Sequence, residues 1–178
     1  MRPSRALLLA GAILLAACRG AGEEAEAPPA GATPAATERA VLTLHFPAED
    51  GLLHVEKREV SVPPAGDARL EAVVAALLSG PRQRGLSPVF APEVKVGNAF
   101  VDAHGVAYVD LVQEGQEAPP SSGSMLELLR VFGMVNTVLA NDERARAVVL
   151  LWNGSQRQTF AGHVDTSRPL VADHRLVR

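Results

Sequence analysis

The sequence predicts an α+β domain: a mixed β-sheet with two α-helices on one face, in the order ββαββαββ. Three observations lead there. Apolar residues recur at helical spacing in two stretches, Leu70–Leu78 and Met125 to about Ala140. Pairs of strand-like runs separated by turn signals lie before, between and after them. The run Ala147-Val148-Val149-Leu150-Leu151-Trp152 is continuously apolar and of strand length, the pattern of a central strand covered on both faces.

Val41–Phe46 has strand character, and Pro47 with Glu49-Asp50-Gly51 ends it in a turn. Leu53–Val62 alternates loosely and reads as a partly exposed strand. Glu56, Lys57, Arg58 and Glu59 at its centre are the kind of charges that protect a sheet edge from promiscuous pairing. These four residues mark the candidate interaction strand, because a partner of complementary charge can add a strand there in register. Lys57 and Arg58 are expected to face solvent and to be replaceable without loss of folding. The competing surface is the side of the sheet turned away from the helices.

Pro63-Pro64 and Gly66 stop that strand, and Asp67 is placed to cap the first helix, which Ser79-Gly80-Pro81 terminates. Residues 94–112 read as a hairpin turning at His104-Gly105. The polar stretch Gln113–Ser122 is a loop, and Ser122 or Ser124 is placed to cap the second helix. Glu127, Arg130, Gly133, Thr137 and Asn141 form one narrow stripe on that otherwise apolar helix, which puts most of it in the core. Asn153-Gly154 is a strong hairpin signal after the fifth strand, with Arg157–Phe160 as the expected return strand.

The N-terminus carries an address. Arg2 and Arg5 form a basic region, Ala6–Leu15 an apolar one, and small residues follow, the pattern of a secretory signal over residues 1–17. The apolar run is shorter than the ~20 residues that a membrane span needs. It ends in Leu15-Ala16-Ala17-Cys18, which resembles the bacterial lipobox. That resemblance implies that Cys18 is acylated through its thiol and becomes the first residue after cleavage, with acyl chains holding the protein on a membrane. The domain then faces the periplasm or the cell exterior, and an outer membrane is favoured where the host has two, since Arg19 is not an inner-membrane-retaining aspartate. Residues 18–39 contain no Val, Ile, Leu, Met or aromatic residue and are rich in Ala, Gly, Pro and Glu. They are expected to form a disordered tether spanning about 25 Å, leaving 40–178 as a single domain.

Composition excludes more than it names. The 178 residues are 47% hydrophobic and 21% charged, as in a folded domain. The formal net charge is −3, and loss of Arg2 and Arg5 with the signal takes it to −5, so there is no basic footprint for nucleic acid or for anionic lipid. Aromatic residues at 4% leave little material for base-stacking platforms. One cysteine supports neither a disulfide framework nor a multi-cysteine zinc site.

The run Gly162-His163-Val164-Asp165-Thr166-Ser167-Arg168-Pro169 holds the ingredients of a nucleophilic triad, but a fold assembles triads from separate segments, so it reads as a capped turn. His45, His54, His104, His163 and His174 form no H-x-x-x-H pair, so no metal site is expected. Asp102 and Asp110 flank the hairpin as outward-facing carboxylates. Asn153-Gly154-Ser155 fits a glycosylation sequon but is better read as a turn. Gly80-Pro81 lacks the spacing and the Lys-Ser/Thr of a phosphate loop. The residues point to no catalytic group and no cofactor.

The chain resembles GerMN domains, modules of spore-germination and sporulation lipoproteins and of other bacterial envelope proteins. The similarity covers about residues 40–165. It is carried by Val55-Glu56-Lys57-Arg58, Leu77-Leu78-Ser79-Gly80-Pro81, Ala107-Tyr108-Val109-Asp110-Leu111, Gly123 with Glu127 and Asn136-Thr137, Val148–Leu151, and Asn153-Gly154. The resemblance implies a fold similar to ring-building motifs and a non-catalytic scaffold or stabiliser; the expected partner is an envelope protein or a second copy of the chain. Sporulation members carry two copies of the domain, and this chain has room for one. The alternative is a small envelope hydrolase or ligand-binding lipoprotein, which calls for a deep pocket where His163 or His45 meets a carboxylate of perturbed pKa. Cys18→Ala is expected to leave an unprocessed precursor. Mass spectrometry finding an unmodified Cys18 in the native membrane fraction overturns the anchor.

Overall fold

The computed structural model describes residues 36–178; the expected signal, Cys18 and most of the expected tether lie outside them. The elements follow the expected order: β1 (Glu38–Pro47), β2 (Leu53–Val62), α1 (Asp67–Leu78), β3 (Lys95–Val101), β4 (Val106–Val112), α2 (Ser124–Asn141), β5 (Ala147–Trp152) and β6 (Ser155–Gln156), closed by a short 3₁₀ turn at His174–Leu176. The class is α+β, and the six strands divide between two sheets. β1 and β2 form an antiparallel ribbon, and the second sheet runs β3-β4-β5-β6. Its one parallel pairing, β4 with β5, is made through the α2 crossover.

β1 begins at Glu38, two residues inside the stretch expected as tether, because Glu38 and Arg39 pair with Val62 and Ser61. The return strand after Asn153-Gly154 is Ser155–Gln156, not Arg157–Phe160. The two turn residues both have positive φ (49° and 78°), and so tight a turn sets Ser155 directly opposite Trp152. Neither helix uses the expected side-chain cap. Gly66 and Gly123 occupy the cap positions, and no side chain bonds the first-turn amides.

One core joins the elements. Leu42, Leu44 and Phe46 of β1 meet Leu70, Val73, Val74 and Leu77 of α1, Val131, Met134, Val135 and Val138 of α2, and Val109, Leu111, Val148, Leu150 and Trp152 of the second sheet. Gly133 lets α2 lie close on β1, since a Cβ there would come 3.0 Å from the His45 carbonyl oxygen.

The polar stripe of α2 is not its solvent face. Glu127 and Thr137 are fully buried and Asn136 nearly so, whereas Met125 and Leu126 are exposed. Each buried polar group binds backbone. Thr137 Oγ1 accepts the His45 amide at 3.0 Å. Asn141 accepts the Thr43 amide at 2.9 Å and donates to the Thr43 carbonyl at 2.8 Å. Asn136 likewise accepts from the Asp173 amide and donates to its carbonyl, tying down the C-terminal segment. Thr137 and Asn141 therefore cover the outer edge of β1 at Thr43 and His45.

Glu56 and Arg58 are 2% and 3% exposed, which corrects the expectation that all four central charges of β2 face solvent. The two are hydrogen-bonded to one another, with Arg58 Nε 2.9 Å from Glu56 Oε1. Arg58 also donates to the Ala76 carbonyl and the Ser79 hydroxyl, each at 2.9 Å, and to the Gly80 carbonyl at 2.7 Å. It lies over the Phe46 ring, 5.7 Å from the centroid. Glu56 Oε2 accepts the Arg82 and Gln83 amides at 2.7 and 2.9 Å. Burial pushes the Glu56 carboxyl up, but the guanidinium and the two amides outweigh it and hold it below the usual carboxylate range.

Arg58→Ala strands Glu56 as an unpaired buried charge and is expected to cost about 3–5 kcal/mol in urea unfolding; a loss below 1 kcal/mol contradicts that role. A second expectation concerns pH. Burial, and then the charge of nearby His174, lowers the His45 pKa to about 4. In the unfolded chain it titrates near 6.5, so the unfolded state binds more protons between those values. The stabilisation is complete above about pH 6.5 and is lost as pH falls through 4, with a limit on the order of 3 kcal/mol. His45→Gln is expected to flatten stability between pH 6.5 and 5, above the range where carboxylates titrate; an unchanged slope refutes this.

Candidate functional site

The alternation of an antiparallel ladder shows which backbone groups of β2 are free. Thr43, opposite Lys57, turns its N–H and C=O to Asn141, and His45, opposite Val55, turns its N–H to Thr137. Both point away from β2. Their partners Lys57 and Val55 therefore point away from β1, and so do Glu59 and Ser61 at two-residue steps. Leu53, on the same side, accepts the Arg178 amide at 2.9 Å, so the C-terminus closes that end of the edge. From Val55 to Ser61 the outward amides and carbonyls have no partner among the described residues. Along β1, α2 covers the edge at Thr43 and His45, whereas Arg39 and Val41, outward by the same alternation, have no backbone partner among the described residues; along β2 the edge is open from Val55 to Ser61.

Lys57, Glu59 and Ser61 are exposed on the face away from the buried pair. Arg39 holds one Glu59 oxygen at 3.3 Å, a pair open to solvent. An open trough of about 410 Å³ runs beside the edge, lined by Glu56, Lys57, Arg58, Glu59, Arg82 and Gln83. The four central charges of the expected interaction strand thus separate: Lys57 and Glu59 are exposed, while Glu56 and Arg58 hold the strand to the end of α1.

The competing surfaces are less developed. On the second sheet Phe100 and Tyr108 stack with centroids 5.0 Å apart, and Phe100 is 37% exposed, but Val149 beside Tyr108 is buried. A larger apolar groove, about 840 Å³, lies between the end of α1 and the start of β3, lined among others by Leu78, Leu86, Phe90 and Val96. Its polar groups are already spent on the fold: Ser79 and Gly80 bind Arg58, and Lys95 donates to the Pro92 carbonyl at 2.7 Å. No converging polar set orients a small ligand there.

His163 does meet a buried carboxylate, with Nδ1 2.7 Å from Glu127 Oε2. Glu127 also accepts the amides of Ala161 (2.8 Å), Val164 (2.9 Å) and His163 (3.1 Å). Burial raises the Glu127 pKa, and these donors more than reverse it, so the group stays ionised and is a weak base. The adjoining cavity, about 70 Å³, is smaller than the ~300 Å³ at which ligand pockets begin. The pair clamps the 161–164 turn onto α2. Elsewhere in that run Asp165 accepts from the Ser167 amide and hydroxyl, a local turn.

Asp102 accepts the His104 and Val106 amides, and Asp110 the Gly154 amide, so both carboxylates serve turns. Among the described residues, no group of three or more His, Cys, Asp or Glu is placed to hold a metal ion, and no helix is long and apolar enough to cross a membrane. The inward polar residues of α2 were missed as strand-binding groups at the level of sequence. Their signal was the Thr137 to Asn141 spacing, four residues apart on one helix face, in side chains that can bond backbone.

The comparisons agree with this architecture. The tandem GerMN domains of the sporulation protein GerM from Bacillus subtilis superpose with a TM-score of 0.61 at 17% identity, over 75% of this chain and 46% of that one. This chain thus spans about half of that tandem structure. The first GerMN domain of the same protein gives 0.55 at 16% identity, over 74% of this chain and 97% of that one. A candidate lipoprotein from Clostridium perfringens gives 0.52 at 17% identity, over 78% and 89%. No curated protein matches. The family model described as sporulation and spore germination matches residues 43–158, from β1 through β6. With its strand order, its helix crossover and that match in place, the chain belongs to the Germane family of GerMN domains.

Proposed function

We propose that this protein is a lipid-anchored, non-catalytic component of the bacterial envelope whose GerMN domain recruits a protein partner by strand addition along β2. The observation that carries this reading is the asymmetry of the β1–β2 ribbon. Thr137 and Asn141 cover the β1 edge at Thr43 and His45, whereas the outward amides and carbonyls of the whole run Val55 to Ser61 have no partner among the described residues. Long unpaired edges invite aggregation unless they are protected or used. Here Lys57 and Glu59 select against indiscriminate pairing and offer opposite charges for a chosen strand. The anchor is supported by the lipobox ending in Cys18 and by the lipoprotein among the similar structures. A Cys18 anchor followed by a polar tether places the edge within reach of other proteins at the membrane surface.

The Lys57 amide points away from β1, so Lys57→Pro removes an edge donor without breaking the ribbon. Crosslinking in intact cells is expected to give a partner adduct with the wild type that falls at least tenfold with Lys57→Pro at equal protein level. Equal adduct from both overturns the edge as the binding site.

A further inference from the structure

We propose that the strand added to β2 is the β2 of a second copy of this chain, paired antiparallel about a two-fold axis passing between the two Arg58 residues. This rests on the reading of β2 as an open docking edge, and it identifies the occupant. Within β2, Val55, Lys57, Glu59 and Ser61 present the backbone groups without a partner among the described residues, so an incoming β2 must set its own outward residues opposite them. Few two-fold registers satisfy that condition. Centring on Lys57 sets lysine against lysine, and centring on Glu59 sets glutamate against glutamate, both repulsive. Centring on Arg58 sets Lys57 opposite Glu59 twice and Val55 opposite Ser61 twice. It uses every free position and pairs every exposed charge.

The surroundings suit that register. Paired residues in a continuous sheet project to the same face, so both Lys57–Glu59 contacts form on the exposed side, away from the buried ion pair. The two Arg58 side chains nearest the axis do not oppose one another as free charges. Each is bound within its own copy to Glu56 and to the end of α1. Glu59 keeps one oxygen without a partner among the described residues, since Arg39 holds the other. The trough between β2 and residues 82–83 gives the incoming strand its lane. The interface is self-complementary, as a closed two-fold dimer requires.

The test is charge exchange on the full chain purified in detergent, with mass measured by sedimentation across a concentration series. The wild type is expected to dimerise. Lys57→Glu and Glu59→Lys are each expected to weaken dimerisation at least tenfold while circular dichroism is unchanged. An equimolar mixture of the two variants is expected to dimerise again, because both glutamates of one copy then oppose both lysines of the other. The double exchange within one chain is expected to do the same. A wild type that stays monomeric, or a mixture that does not restore the dimer, overturns the second copy as occupant. If a cellular adduct sensitive to Lys57→Pro survives that outcome, the docking edge stands and its partner is another protein. If a dimer forms and Lys57→Pro leaves it intact, the edge itself is refuted.

Discussion

The buried pair of Glu56 and Arg58 is the interaction on which the rest of the domain is hung. A carboxylate and a guanidinium out of water are costly unless every remaining donor and acceptor is met. Here the guanidinium meets the exposed carbonyls at the end of α1, and the carboxylate meets the amides of Arg82 and Gln83 just beyond Gly80. Helix ends leave such carbonyls unsatisfied, and a cation among them also opposes the negative end of the helix dipole. One pair thereby joins the ribbon, the helix C-terminus and the turn after it. Two motifs separate in sequence, Glu56-Lys57-Arg58 and Ser79-Gly80-Pro81, are one contact in space.

The second structural device is the inward polar stripe of α2. A buried strand edge must satisfy its backbone groups, and a helix cannot pair with a strand through its own backbone. Thr137 and Asn141 supply side-chain groups instead, and Asn136 does the same for Asp173 on the C-terminal segment. Glu127 treats the turn at 161–164 in a like manner. The helix thus fastens three backbone segments at once. What looks chemically suggestive there, a histidine beside a buried carboxylate, is one more fastening, because the oxygens of the carboxylate are filled by amides.

These two devices together leave the outer edge of β2 open from Val55 to Ser61 among the described residues. The inner face of β2 is committed to α1 through Glu56 and Arg58, and β1 is held to α2 at Thr43 and His45. What remains outward is a short row of amides and carbonyls flanked by one lysine and one glutamate.

Much of the fold was legible in the sequence because it rests on local rules. Hydrophobic period marked both helices, Ser79-Gly80-Pro81 marked the end of α1, Asn153-Gly154 marked a turn, and the bounds of β2 are those its pattern implied. Tertiary structure decided what depends on partners distant in the chain. It divided the strands between two sheets, turned the stripe of α2 inward, and split four consecutive charges into two that are buried and two that are exposed. The last division follows from alternation along a strand, but only the end of α1, more than 15 residues away, determined which alternate pair went inside. A charge is buried where acceptors await it, and those acceptors exist only once the helix has docked.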